Sequence, residues 1–109
     1  MNLKSILAKP FANYIYKQHK KNMLNAVQDQ QNILQELLKV GKQTVFGKDH
    51  HFNDVSNYQE YTKAVPIRDY EQIKGYIEQI KNGKQNVLWK GKPLYFAKTS
   101  GTTSGIKYI

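Results

Sequence analysis

The residue types best suited to chemistry gather at the end of the chain, in the run Thr99-Ser100-Gly101-Thr102-Thr103-Ser104-Gly105-Ile106-Lys107. Gly101 and Gly105 open backbone conformations closed to other residues, so successive N–H groups can turn toward one anion. The hydroxyls of Thr99, Ser100, Thr102, Thr103 and Ser104 add uncharged donors, and Lys107 adds a positive charge able to neutralise a phosphate. Such a set suits a nucleotide triphosphate and the pyrophosphate that leaves it. The spacing is not that of a Walker A loop, which needs four residues between its glycines and then Lys and Ser or Thr. Here three residues intervene, and Ile106 separates Gly105 from the lysine. The dinucleotide fingerprint G-x-G-x-x-G is also absent. On residue chemistry alone, two readings stand: an anion-binding loop and a flexible Ser/Thr/Gly-rich tail.

The elements that must position this run are mostly helical. Leu3, Ile6, Leu7, Phe11, Tyr14 and Ile15 share one helical face, with Pro10 expected to kink or split the segment. Met23, Leu24, Val27, Leu34, Leu37 and Leu38 repeat at helical spacing, and Gly41 stands where a left-handed cap would end that helix. These two helices are expected to bury their stripes together. Gln43 to Asn53 reads as a polar loop in which the adjacent His50 and His51 are surface residues and not a metal pair. A short helical turn is expected near Ser56 or Asn57, then an extended segment from Tyr61 to Val65, ending at Pro66. A third helix has punctuation at both ends: Asp69 as N-cap with Gln72 three residues on, an apolar stripe of Tyr70, Ile73, Tyr76, Ile77 and Ile80, and Gly83 as stop. Val87 to Trp89 and Leu94 to Ala97 are the strand candidates, joined through Gly91-Lys92-Pro93, with Trp89 buried beneath them.

The expected fold class is therefore α+β: a mostly helical portion with three main helices, then a short strand and a Gly/Ser/Thr-rich phosphate-binding loop. Three stretches follow within one incomplete domain, residues 1–42 as helical scaffold, 43–83 as loop, extended segment and third helix, and 84–109 as strand and loop. The chain of 109 residues has no cysteine, which excludes disulfides and thiolate metal sites. No stretch approaches the ~20 apolar residues of a membrane span. Met1 to Pro10 is broken by Lys4 and Lys9 and does not read as a secretory signal, so a cytoplasmic protein is expected. Lys and Arg number 17 against 8 Asp and Glu, a formal charge of +9. That surplus favours polyanionic partners. The basic residues are scattered, with one short cluster at Lys17, His19, Lys20 and Lys21, so most of the charge reads as solvated surface. The tyrosines Tyr58, Tyr61 and Tyr70 could stack nucleic-acid bases, but they fall on helix stripes or strand positions and read as core.

The run TSGTTSG followed by a lysine resembles the signature loop of the adenylate-forming superfamily, which includes acyl-CoA synthetases and luciferases. Its spelling is similar to that of one branch, the auxin-responsive Gretchen Hagen family of acyl acid amido synthetases, which has bacterial members. Upstream, TVFGKDHHF (Thr44 to Phe52) resembles that branch's T-x-F/Y-G-K-x-x-x-F stretch, and VPIRDYEQIKGYIEQIKNG (Val65 to Gly83) resembles its V-P-I-x-D-Y-E-x-I-x-P-Y-I-x-R-x-x-x-G segment. VLWKGKP agrees as well, so the likeness covers most of residues 34 to 109. Gly75 and Gln79 depart from the pattern, where the family often has proline and arginine, and Ile106-Lys107 lack the proline of the broader superfamily's loop.

The resemblance implies an N-terminal fragment of a bacterial-type ligase, belonging to the large N-terminal domain of such an enzyme. It implies a carboxylic acid adenylated by ATP and then transferred to an amino acid amine, with Mg²⁺ accompanying the nucleotide. Thr99, Ser100, Gly101, Thr102, Thr103, Ser104, Gly105 and Lys107 would bind the nucleotide phosphates. No catalytic residue, metal ligand, nucleic-acid partner or membrane partner is expected within the chain. The acid and the amino acid would sit on the remainder of the enzyme, and the isolated fragment would be inactive. The other classes in view are an acyl-CoA-forming adenylating enzyme and a small basic module binding nucleic acid or an acidic partner.

Overall fold

In the computed structural model, residues 2–101 and 105–109 are described. Their helices are α1 (Leu3–Leu24), α2 (Ala26–Gly41), α3 (Val45–Asp49), α4 (Tyr58–Ala64) and α5 (Tyr70–Lys81), with a 3-10 turn at Phe52–Asp54. The chain divides into two compact units, Met1–Ile33 and Leu34–Ile109.

In the first unit, α1 runs its 22 residues with Pro10 inside the helix. The proline supplies no N–H there and costs one intrahelical hydrogen bond, but it does not split the element. The break comes instead at Asn25, whose amide reaches back to the carbonyls of Lys21 and Asn22 before α2 begins. No residue of α1 is buried. The stripe of Leu3, Ile6, Leu7, Phe11, Tyr14 and Ile15 is exposed, as are Met23, Leu24 and Val27. The expected mutual burial of two helical stripes is therefore corrected.

The second unit holds the core. Leu38, Phe52 and Val55 are buried together, with Leu34, Phe46, Tyr61, Ala64 and Val65 packed around them. Gly41 is the last residue of α2, and the expected left-handed cap is not there, since the glycines with positive φ are Gly83, Gly91, Gly101 and Gly105. The expected polar loop over Gln43 to Asn53 is largely helical. Thr44 caps α3, its hydroxyl accepting from Gly47 N at 2.9 Å and donating to Gly41 O at 2.7 Å. A buried threonine with both hydroxyl functions used is a strong local start signal. The expected extended segment from Tyr61 lies in α4. Asn57 caps that helix by accepting from Glu60 N, and Glu60 Oε2 accepts from Ser56 N and Oγ, both at 2.7 Å. Helix α5 follows its sequence signals: Asp69 and Gln72 form a reciprocal capping box, Ile77 and Ile80 are buried, and Gly83 at φ +91° turns the chain.

The α+β expectation is overturned. Among the described residues there is no strand, and Lys98–Tyr108 is an isolated antiparallel bridge. The carbonyls of Asn86 and Val87 are taken by the first amides of α3, Val45 N at 2.9 Å and Phe46 N at 3.0 Å. Val87, only 1% exposed, thus closes a helix end and not a sheet. The turn that follows is local, with Asn86 Oδ1 and N bonded to Gly91 N and O. Leu94 and Tyr95 are almost fully exposed and Trp89 is half exposed, which corrects its expected burial. A strand needs a partner ladder, and this stretch has none apart from the bridge. Nor is the expected phosphate-binding loop delineated among the described residues.

Candidate functional site

The candidate site is the closing turn of the second unit. Ala97 and Ile109 exchange both backbone bonds, N–H to O at 2.8 and 2.9 Å, and Thr99 N donates to Lys107 O at 2.9 Å. Lys107 N returns the bond to the Thr99 hydroxyl at 3.0 Å. Two short arms, 97–99 and 107–109, are thereby clamped together. Gly101 at φ +73° and Gly105 at φ +81° both adopt the left-handed region that favours glycine. A side chain at Gly101 would meet Gly105 C and Ile106 N at 3.1 Å, whereas one at Gly105 would meet nothing among the described residues within 4 Å.

Of the eight residues expected to bind phosphate, the structure places five. Thr99 is half-buried with its hydroxyl engaged in the clamp, Ser100 and Gly105 are exposed, and Gly101 and Lys107 are half-buried. The expectations for Thr102, Thr103 and Ser104 lie outside the described residues.

Helix α5 flanks the return arm. Tyr108 N donates to the Tyr70 hydroxyl at 3.1 Å, and Lys107 Nζ stands 5.5 Å from the centroid of the Tyr70 ring. At the far end of the helix, Lys81 Nζ lies 4.4 Å over the Tyr108 ring. A hydrogen bond to Glu78 Oε1 at 3.1 Å, the main cause, holds the Lys81 ammonium above its ordinary pKa. Phe96 meets Tyr108 edge-on. The sequence assigns Tyr70 to a packing stripe, and nothing in the spelling of the loop points to it.

His50 is far from the surface residue expected. It is 5% exposed, its Nδ1 lies 2.7 Å from Phe46 O, and its ring stacks on Phe46 at 4.0 Å. His51 is exposed, as expected. Tyr76 donates to Asp49 Oδ2 at 2.9 Å, and burial, with that carboxylate behind it, pushes its phenol pKa up. The TVFGKDHHF stretch is thus a packing device: a capped helix, a glycine pressed against Gly41 and an aromatic cluster. Tyr61 and Tyr70 are half-buried, while Tyr58 is exposed and departs from the core role expected of it.

The described residues contain no group of three or more His, Asp or Glu side chains placed to hold a metal ion. None of their helices is long and apolar enough to cross a membrane.

Residues 15–109 match the model of the GH3 family N-terminal domain. The chain belongs to the GH3 family. Two relatives from Arabidopsis thaliana align over 81 residues, 74% of the chain: indole-3-acetic acid-amido synthetase GH3.15 at 33% identity and GH3.5 at 30%. A probable indole-3-acetic acid-amido synthetase from Oryza sativa subsp. japonica, GH3.13, is 42% identical over 45 residues, 41% of the chain. The chain spans only 13% of the length of the two Arabidopsis proteins. No solved structure matches it.

Proposed function

We propose that this GH3 chain supplies the nucleotide-phosphate-binding part of an ATP-dependent, AMP-forming acyl acid amido synthetase in the cytoplasm. The observation that carries the reading is the GH3 match, which runs through the glycine-rich turn to residue 109. It favours a ligase over a basic binding module, and the relatives' names favour an amine acceptor over coenzyme A.

In the proposed reaction a carboxylate oxygen attacks the α-phosphorus of ATP. An acyl-adenylate forms and pyrophosphate leaves. The amine of an amino acid then attacks the acyl carbon, an amide forms and AMP leaves. The turn's part is to hold the β and γ phosphates and to spread the charge that develops as pyrophosphate departs. Ser100, Thr102, Thr103 and Ser104 would donate from hydroxyls and backbone, Gly101 and Gly105 would let that backbone curl, and Lys107 would supply the charge. Thr99 would act by closing the arms, its hydroxyl already accepting from Lys107 N. Mg²⁺ would enter with the nucleotide. The acid and the amino acid would be held outside residues 1–109.

The test is carboxylate-dependent exchange of pyrophosphate into ATP by the enzyme that carries this segment, across a panel of acids, followed by amide formation with amino acids. Replacing Lys107 by Met is expected to slow exchange about tenfold, the scale of one charge-assisted hydrogen bond. Residues 1–109 alone are expected to give none. Exchange indifferent to Lys107 and to the turn's hydroxyls would overturn the reading.

A further inference from the structure

Helix α5 touches the return arm of the turn in a reciprocal way. The tyrosine of the helix, Tyr70, faces the lysine of the arm, Lys107, at 5.5 Å. The tyrosine of the arm, Tyr108, faces the lysine of the helix, Lys81, at 4.4 Å. The two elements are joined between these contacts by Tyr108 N–H donating to the Tyr70 hydroxyl at 3.1 Å, across 38 positions of sequence. Tyr70 is the first residue of α5, directly after Asp69. Its exit direction is set by the capping box, in which Asp69 Oδ1 accepts from Gln72 N at 3.0 Å and Gln72 Oε1 accepts from Asp69 N at 2.9 Å. The single residue Tyr70 therefore has a rigid base and two separate holds on the arm, one through its hydroxyl and one through its ring.

A free lysine side chain samples many rotamers and must lose them when it meets an anion. An ammonium over an aromatic face keeps its charge and its donors while giving up part of that freedom beforehand. We propose that Tyr70 is a positioning residue for the phosphate turn: its hydroxyl fixes the return arm at Tyr108, and its ring holds Lys107 ready for the polyphosphate. This rests on the reading of the turn as a phosphate site.

The experiment uses the whole chain, inorganic triphosphate as probe, and two variants that separate the two holds. Tyr70→Phe keeps the ring and loses the hydroxyl. The Tyr108 amide is expected to exchange with solvent about tenfold faster, while triphosphate affinity stays within about threefold of the parent. Tyr70→Leu loses both holds, and its affinity is expected to fall about tenfold. The Lys107 side-chain methylenes should show an upfield ring-current shift in the parent and in Tyr70→Phe and lose it in Tyr70→Leu. Lys107→Met should match Tyr70→Leu in affinity, and the double variant should be no weaker than either. If Tyr70→Leu fails to fold, the Lys107 methylene shift carries the test: present in the parent and in Tyr70→Phe it upholds the ring contact, and absent from both it overturns it.

Triphosphate binding by Tyr70→Leu equal to that of the parent would overturn the proposal. So would unshifted Lys107 methylenes in the parent. A parent that binds no triphosphate would sink the phosphate reading itself. The resonances would then decide the placement alone: shifts kept in Tyr70→Phe and lost in Tyr70→Leu uphold it, and shifts absent throughout overturn it.

Discussion

Two stretches of this chain carry glycines and hydroxyls in a family pattern, Thr44 to Phe52 and Thr99 to Lys107, and they use those residues in opposite ways. In the first, the buried polar groups are consumed internally. Thr44 both donates and accepts, His50 is tied to Phe46 O, and Gly47 lies where a Cβ would come within 2.0 Å of Gly41 O. In the second, the clamp uses Thr99 and the arm backbones, while Ser100 is exposed and a Cβ at Gly105 would meet none of the described residues within 4 Å. Donors already satisfied by their own fold cannot serve a ligand without breaking it. A pattern of residues therefore points to binding only where the structure leaves its donors unspent.

The sharpest way to break the contrast is at the two glycines. Gly47→Ala should cost about 3 kcal/mol of stability in urea unfolding, because the added methyl overlaps a helix-end carbonyl that the Thr44 cap holds in place. Unchanged stability would mean that α3 and the end of α2 are not pressed together. Thr44→Val should cost about 2 kcal/mol, through the lost cap and the stranded Gly47 amide. If a calorimetric scan shows no drop in Tm, the cap is not a support of α3. Gly105→Ala should cost only about 1 kcal/mol, the strain of φ +81° with no collision among the described residues. Its main effect should appear as weakened triphosphate binding in a titration, and intact binding would argue against a permissive role for Gly105.

The smallest effect concerns Tyr76, which burial and Asp49 keep protonated beyond the ordinary range. The folded chain holds this proton more tightly than the unfolded one. The contribution to stability is therefore full below the unfolded phenol's pKa near ~10 and is lost as pH rises through the higher folded value. Stability measured across that window should fall more steeply for the parent than for Tyr76→Phe. Equal slopes would show that Tyr76 is not linked to folding.

The legible parts of the fold were those whose signals are local. Asp69, Gln72 and Gly83 define α5 because capping and helix arrest are settled within a few residues, and the structure places all three as their types require. Gln43 to Asn53 reads as a loop because the short, glycine-bearing α3 within it has no periodic stripe. Its cap and its Asn86 and Val87 acceptors become visible only in three dimensions. His50 reads as a surface residue for the same reason: a histidine in a polar run is buried only if aromatic neighbours arrive, and here Phe46, Phe52 and Tyr76 surround it. The strand expectations at Val87 to Trp89 and Leu94 to Ala97 rested on β-forming residue types. Such preferences count for little without a ladder to join.

By itself, the sequence determined the family pattern, the helical content before residue 83 in its main elements, and the residue types of the closing turn. Those are matters of composition, spacing and nearest-neighbour capping. Only the tertiary structure decided that the first glycine-bearing motif is packing, that Thr99 spends its hydroxyl closing the turn, and that Tyr70 of α5 meets Lys107 and Tyr108. Contacts between residues 38 positions apart depend on how the chain returns on itself, and no local signal encodes that path.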